Sequence, residues 1–180
     1  MERLGMELPE LLQSQRLRRS VENQLGVLEE GVFDRLRRGE LIMAARIYAF
    51  LASGYVHQVD GTKVKKIPRS LAVPLYRLSK RVGRRFPILS YDLYCLNNWR
   101  RVNPEGPVRV ENMDTIQKFV RIKDEPWFIL IHTEIEARAA PAIRAIGHLQ
   151  QAVLKDDVHT LKFALDGMAE SLEGMIGTAE

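Results

Sequence analysis

Apolar side chains recur every three to four residues through most of the chain, the spacing that gathers them on one side of an α-helix. Leu41, Ala45, Tyr48, Ala52 and Tyr55 or Val56 follow it and predict a helix of about four turns from Glu40 to about His57. Val59-Asp60-Gly61 then reads as a turn, and the stretch to Pro68 as extended, because a residue before proline avoids the α region. Pro74 suits the first turn of a helix reaching about Val82, stopped by Gly83 and Pro87. A shorter helix is predicted from about Ser90 to Trp99, and Asn103-Pro104-Glu105-Gly106-Pro107 is a loop.

The last third carries the clearest pattern. Phe128, Ile131, Ile135, Ala139, Ala142, Ile146, Leu149 and Val153 form one stripe at the 3.6-residue period, with Pro141 within it as a kink or a residue near one end. Val158, Leu161, Leu165, Met168, Leu172 and Met175 form a second stripe. Only Lys155-Asp156-Asp157 separates the two helices, so they are expected to pack antiparallel. No β-type alternation exceeds four residues, and no repeat period is present. The predicted fold is all-α.

Composition narrows the class. With 180 residues, 46% hydrophobic and 28% charged, the chain has material for one cored globular domain, which excludes disordered and fibrous classes. The longest apolar stretches, such as Trp127 to Ile131, fall far short of the roughly 20 residues that cross a bilayer. The start MERLGMELPELL lacks the basic, apolar and small-residue regions of a secretion signal, and the lone Cys95 suits a reducing compartment. A cytoplasmic protein is expected.

The net charge of +4 conceals an asymmetry: residues 1–110 carry 20 Lys and Arg against 11 Asp and Glu, a balance of +9, and residues 111–180 carry 7 against 12, a balance of −5. Nine basic residues and no acid fall between Gly61 and Tyr91. Such a run either meets an anionic ligand such as nucleic acid or forms solvated faces balanced by acidic residues elsewhere; no recognisable nucleic-acid module accompanies it, which favours the second reading.

Histidines are the natural place for metal or acid–base chemistry, and His57, His132, His148 and His159 are present. On a helical wheel His132 projects about 40° from Phe128 and about 60° from Ile135, which places it on the apolar side of its helix, with Glu136 one turn on as an acceptor. It reads either as a satisfied core histidine or as a functional one. The other three read as surface or rim residues. A carboxylate-bridged metal pair would need Glu-x-x-His on several helices, and the single His132-Thr133-Glu134-Ile135-Glu136 run is not that pattern. Phosphate-binding loops and nucleophile elbows are missing, and Cys95, set in an apolar helix segment, reads as a small buried hydrophobe.

Three runs carry a resemblance: IPRSLAVPLYRLSKRVGRRFPILSYDLYCLNNW (Ile67 to Trp99), NPEGPVRVENMD (Asn103 to Asp114) and DEPWFILIHTEIEARAAPAI (Asp124 to Ile143). Together they resemble the indoleamine 2,3-dioxygenase family, with Pro68, Pro74, Pro87, Tyr91, Asn98-Trp99, Asn112-Met113 and Glu136 in register. The likeness extends more weakly back to Glu40 and forward through Met175. It implies a cytosolic, all-α haem protein (heme b) that inserts dioxygen into the indole ring of tryptophan or a related indole. Residues 40–180 would form the helical domain over the distal side of the haem, with residues 1–39 a helical extension. By position in the family, Tyr91, Tyr94 and Phe128 would bind substrate, Phe128 and His132 would face the cofactor, and His132 would be the catalytic residue, standing where vertebrate members carry a serine. The family's iron-ligating proximal histidine and its carboxylate-binding arginine belong to a C-terminal half that this chain lacks. The chain is therefore expected to be the distal half of a dioxygenase, inactive alone, partnered by that C-terminal domain, the indole and dioxygen, and not by a membrane or nucleic acid. The alternative is a non-catalytic helical interaction module that keeps the fold without the haem.

Overall fold

The computed structural model describes residues 1–59 and 64–179; Asp60 and Gly61 of the predicted turn lie outside the described residues. The chain divides into two compact units, Met1–Arg100 with Thr115–Ile129, and Arg101–Asp114 with the chain from Leu130 onward.

The first unit is organised around α4 (Arg38–His57), a 20-residue helix. Its start is fixed by Glu40, whose carboxylate accepts the Arg37 backbone N–H at 2.7 Å and pairs with the Arg37 guanidinium. From Ala44 to Ala52 every side chain of α4 is buried, all of them apolar or aromatic except Arg46, as suits a helix enclosed by others. Around it pack α1 (Glu2–Met6), α2 (Leu8–Gln13), α3 (Leu17–Gln24) and α5 (Arg69–Arg81). Gly54 permits the closest approach: a Cβ there would stand 2.9 Å from Leu17 Cδ2 and 3.2 Å from Leu8 Cδ1.

The sequence places the start of α5 too late. The helix begins directly after Pro68, whose ψ of 151° is extended and whose carbonyl accepts from Leu71 and Ala72, and Pro74 lies inside it. Its end is as expected. Gly83 adopts φ +80°, and the N–H groups of Gly83 and Arg84 bond the carbonyls of Lys80 and Ser79, closing the helix in a Schellman turn. A Cβ at Gly83 would meet nothing within 4 Å, so Gly83→Ala tests conformation alone. It is expected to lower stability by about 1–2 kcal/mol, read from the urea midpoint.

The predicted helix from Ser90 to Trp99 is instead a single π turn, Asp92–Leu96, and Trp99 lies in β1 (Trp99–Arg101), which forms a two-stranded sheet with β2 (Met113–Thr115). These are the only strands among the described residues, and the fold is all-α. No helix among them is long and apolar enough to cross a membrane.

α6 (Asp124–Leu154) runs 31 residues through Pro141, and from Leu130 it belongs to the second unit with α7 (Val158–Ala179). Between them Asp156 takes φ +54°, Asp157 N–H bonds the Ala152 carbonyl at 2.9 Å, and the Asp157 carboxylate caps α7 through the Thr160 N–H at 3.0 Å. Ser171 Oγ donates to the Arg138 carbonyl, so the two helices run antiparallel, as expected. Their seam departs from expectation. Small residues fill it, with Ala152, Ala164 and Ser171 buried, while Ile146 (47%), Val153 (66%), Leu165 (52%) and Leu172 (51%) of the predicted stripes are exposed.

Part of the basic run is used internally: Arg77 donates to the Leu28 carbonyl, Arg81 pairs with Asp34 and Arg84 with Asp92.

Candidate functional site

In the first unit four aromatic rings from four segments meet. Phe50 of α4 stacks on Phe119 with centroids 4.6 Å apart, Tyr94 of the π turn stands 5.7 Å from Phe50 and 6.1 Å from Phe119, and Phe128 of α6 stands 6.2 Å from Tyr94 at 47°. Separations and tilts of this kind suit aromatic pairing. Phe50 is fully buried, whereas Phe128 is 45% exposed, so the wall runs from core to surface.

Glu125 locks this wall. Its buried carboxylate accepts the Tyr94 hydroxyl at 3.2 Å and the backbone N–H groups of Phe119 and Val120 at 2.9 and 2.8 Å. Burial, and then the Glu125 charge, raise the Tyr94 phenol above its ordinary range, so the hydroxyl stays protonated and donating. Sequence reading missed Glu125, although an acidic residue in the first turn of a helix is a signal in itself.

The π turn that carries Tyr94, with Tyr91 immediately before it, is held from both ends. Asn97 N–H reaches back five residues to the Asp92 carbonyl at 2.7 Å, and the Asn97 carbonyl accepts from Arg46, a buried α4 residue whose guanidinium pKa burial lowers. Such turns are rare and frequently mark functional sites. Burial pushes the Asp92 carboxyl up, but hydrogen bonds from Arg84 and Ser90 and the Arg84 charge outweigh it and leave the group below the usual carboxylate range. Following it, Asn98 is fully buried and exchanges hydrogen bonds with the Gln117 backbone at 2.8 and 2.9 Å.

Of the residues singled out by sequence, Tyr94 and Phe128 are in ring contact, and Tyr91 is 45% exposed at the start of the π turn. His132 lies on α6 in the second unit and is half-buried rather than enclosed in a core. His57, His148 and His159 are exposed, and Cys95 is buried with its thiol pushed up to about 11 by burial. That thiol is expected to resist a thiol reagent at pH 8 until the chain is unfolded. Among the described residues no three His, Cys, Asp or Glu side chains group as metal ligands. A separate cavity of about 470 Å3 opens beside Phe119, between Pro9, Leu12, His57 and Ile122.

Two phenols give the unit an alkaline limit. Burial raises Tyr48 to about 12 and Tyr94 further, against about 10 in the unfolded chain. Their contribution is whole below pH 10 and falls as pH rises towards 12, because the unfolded chain loses its protons first. In a titration, tyrosinate absorbance of these two is expected to appear together with loss of helical ellipticity.

An all-α domain that presents aromatic side chains from a π turn and a long helix is the class these features define. The sequence profile of the family described as Indoleamine 2,3-dioxygenase matches residues 1–178, and the chain belongs to that family. Among its relatives, indoleamine 2,3-dioxygenase 1 of Rattus norvegicus is 37% identical over 173 residues and that of Mus musculus 35% over 172, in each case 94% of this chain and 41% of the relative. Indoleamine 2,3-dioxygenase of Saccharomyces cerevisiae is 28% identical over 186 residues, 99% of this chain and 39% of its own length. The chain thus spans about two fifths of the length of these relatives, and the match begins at residue 1, ahead of Glu40 where the sequence likeness becomes readable.

Proposed function

We propose that this chain is the distal part of a haem-dependent dioxygenase that inserts dioxygen into the indole ring of tryptophan or a related indole, in the cytoplasm. The observation that carries this reading is the family match along residues 1–178. In it residues 40–180 are the distal-side helical domain and 1–39 the extension before it, and the remaining part of the enzyme supplies the proximal histidine that holds haem b.

The side chains present fit a distal role. Phe128 offers an apolar ring 45% exposed, Tyr91 another, and His132 on the same helix as Phe128, one turn on, offers a half-buried imidazole. A flat aromatic substrate needs an apolar plate with a few polar handles, and these are residue types of both kinds. Haem, when bound, supplies the oxygen chemistry. Phe128 packs against the planar indole and excludes water, backed by the Tyr94 ring, whose hydroxyl is tied to Glu125; Tyr91 as a further indole contact and His132 as the group that hydrogen-bonds the indole N–H are each taken from their places in the family.

The test is an assay of the assembled enzyme. The chain alone is expected to give no turnover, and the chain joined to its C-terminal part to show a Soret band and indole oxidation. Absence of the band in the assembled protein would end the reading. His132→Ala is expected to lower kcat/KM by roughly 100-fold, with an altered pH profile; an unchanged profile would reduce His132 to a packing residue.

A further inference from the structure

Among the buried side chains of α4 from Ala44 to Ala52, one carries a full charge. Arg46 is 5% exposed, and a guanidinium does not give up its proton inside a protein. Among the described residues no carboxylate pairs with it; Nη1 donates to the Asn97 carbonyl, and Nε is buried with no partner. A buried cation without an anion lowers stability, and a methionine would fill much the same space without that penalty. Packing alone gives no reason for an arginine at this position. The reason lies in what the guanidinium holds.

It holds the residue that closes the π turn. Asn97 sends both its backbone N–H, at 2.7 Å, and its side-chain amide, at 3.0 Å, to the Asp92 carbonyl five residues back. An ordinary α repeat would send that N–H four residues back, to Leu93. The chain on either side is fixed independently, since Asp92 pairs with Arg84 and accepts the Ser90 hydroxyl, and Asn98 exchanges hydrogen bonds with the Gln117 backbone. With both flanks anchored, any change of repeat falls on the residues between them, and Tyr94 is one of these. The Tyr94 ring stands 6.2 Å from Phe128 and 5.7 Å from Phe50, which lies one turn beyond Arg46 on α4. α4 thus supports the turn twice, by an apolar contact on the Tyr94 ring and by a charged donor on the Asn97 carbonyl, the stronger kind of hydrogen bond. We infer that Arg46 is a positioning residue for the proposed substrate face: by holding the Asn97 carbonyl it keeps the turn in its five-residue repeat and the Tyr94 ring behind Phe128. The inference rests on the proposed function for what that face binds, while the hold on the turn stands on the geometry alone.

The experiment compares Arg46→Met and Arg46→Lys in the full chain, by amide hydrogen exchange and by nuclear Overhauser contacts between the Tyr94 and Phe128 rings. In Arg46→Met the Asn97 N–H is expected to exchange about tenfold faster or more, and the ring contacts to weaken. The urea midpoint is expected to stay level or rise, a combination that loss of ordinary core packing does not give. Arg46→Lys keeps a charged donor and is expected to restore part of the Asn97 protection. In the chain joined to its C-terminal part, Arg46→Met is expected to lower kcat/KM about tenfold, and Arg46→Lys by less. Unchanged Asn97 exchange in Arg46→Met would overturn the inference, and so would a lower midpoint with protection lost equally along α4, which marks a residue that only holds the core. A loosened turn with an unchanged kcat/KM would overturn it as well. The two readings fail separately: a joined wild-type protein without a Soret band ends the proposed function, while the amide and ring measurements on the chain itself still decide what Arg46 holds.

Discussion

Phe50→Ala is expected to destabilise the first unit by about 3–5 kcal/mol, the range of aromatic truncations in well-packed cores. Its ring is fully buried and is the one member of the aromatic wall that α4 contributes, stacked 4.6 Å from Phe119 and 5.7 Å from Tyr94. Removing it leaves a cavity against both rings. The consequence extends past stability, because Phe119 belongs to the segment that Glu125 clamps by its N–H groups, and Tyr94 is the ring against which Phe128 leans. A loosened wall frees Phe128 and, with it, the proposed substrate face. Phe50→Leu keeps most of the volume and is expected to recover more than half of the loss. The check is urea unfolding together with near-ultraviolet dichroism; a loss below 1 kcal/mol with an unchanged aromatic spectrum would show that the wall stands without its inner ring.

What the sequence made legible follows from which forces leave a periodic trace. α4, α6 and α7 are long and apolar at helical spacing, so their positions are readable to within a few residues. Pro74 misled because proline at a first turn is common, yet Pro68 already supplies an extended residue and a free carbonyl from which α5 starts. The π turn was invisible: its wider repeat, Asn97 reaching five residues back to Asp92, is held by Arg46, distant in sequence, on the Asn97 carbonyl. The stripes on α6 and α7 were legible as apolar sides, but periodicity says that a side is apolar and not what it faces. The seam of Ala152, Ala164 and Ser171 carries little hydrophobic signal, and it decided the packing. In the candidate site Tyr94 and Phe128 do meet, Tyr91 is placed at the surface, and the carboxylate that fixes Tyr94 had to be found in space.

Glu134→Ala is the corresponding large effect in the second unit, expected at about 2–4 kcal/mol. The Glu134 carboxylate is 4% exposed and gathers four donors: Arg109 at 2.9 Å, the Val110 N–H at 2.7 Å, and Arg138 through two nitrogens at 2.9 and 2.7 Å. It thereby ties the 101–114 segment to α6 and orients Arg138, whose carbonyl receives Ser171 from α7. Alanine leaves the Val110 N–H without its acceptor, a loss of about 1–3 kcal/mol where water cannot replace it, and strips two arginines of their anion. Those arginines retain 43% and 29% of their side-chain surface, so water takes back part of the guanidinium cost and the total stays below that of a fully enclosed pair. Glu134→Gln separates the two contributions, since its amide oxygen can still accept from Val110 while the charge is gone; it is expected to lose roughly half as much. Equal losses for Gln and Ala at position 134 would mean that charge alone holds the segment, and a loss for Ala below 0.5 kcal/mol would mean that the 101–114 segment is anchored by its own sheet contacts instead.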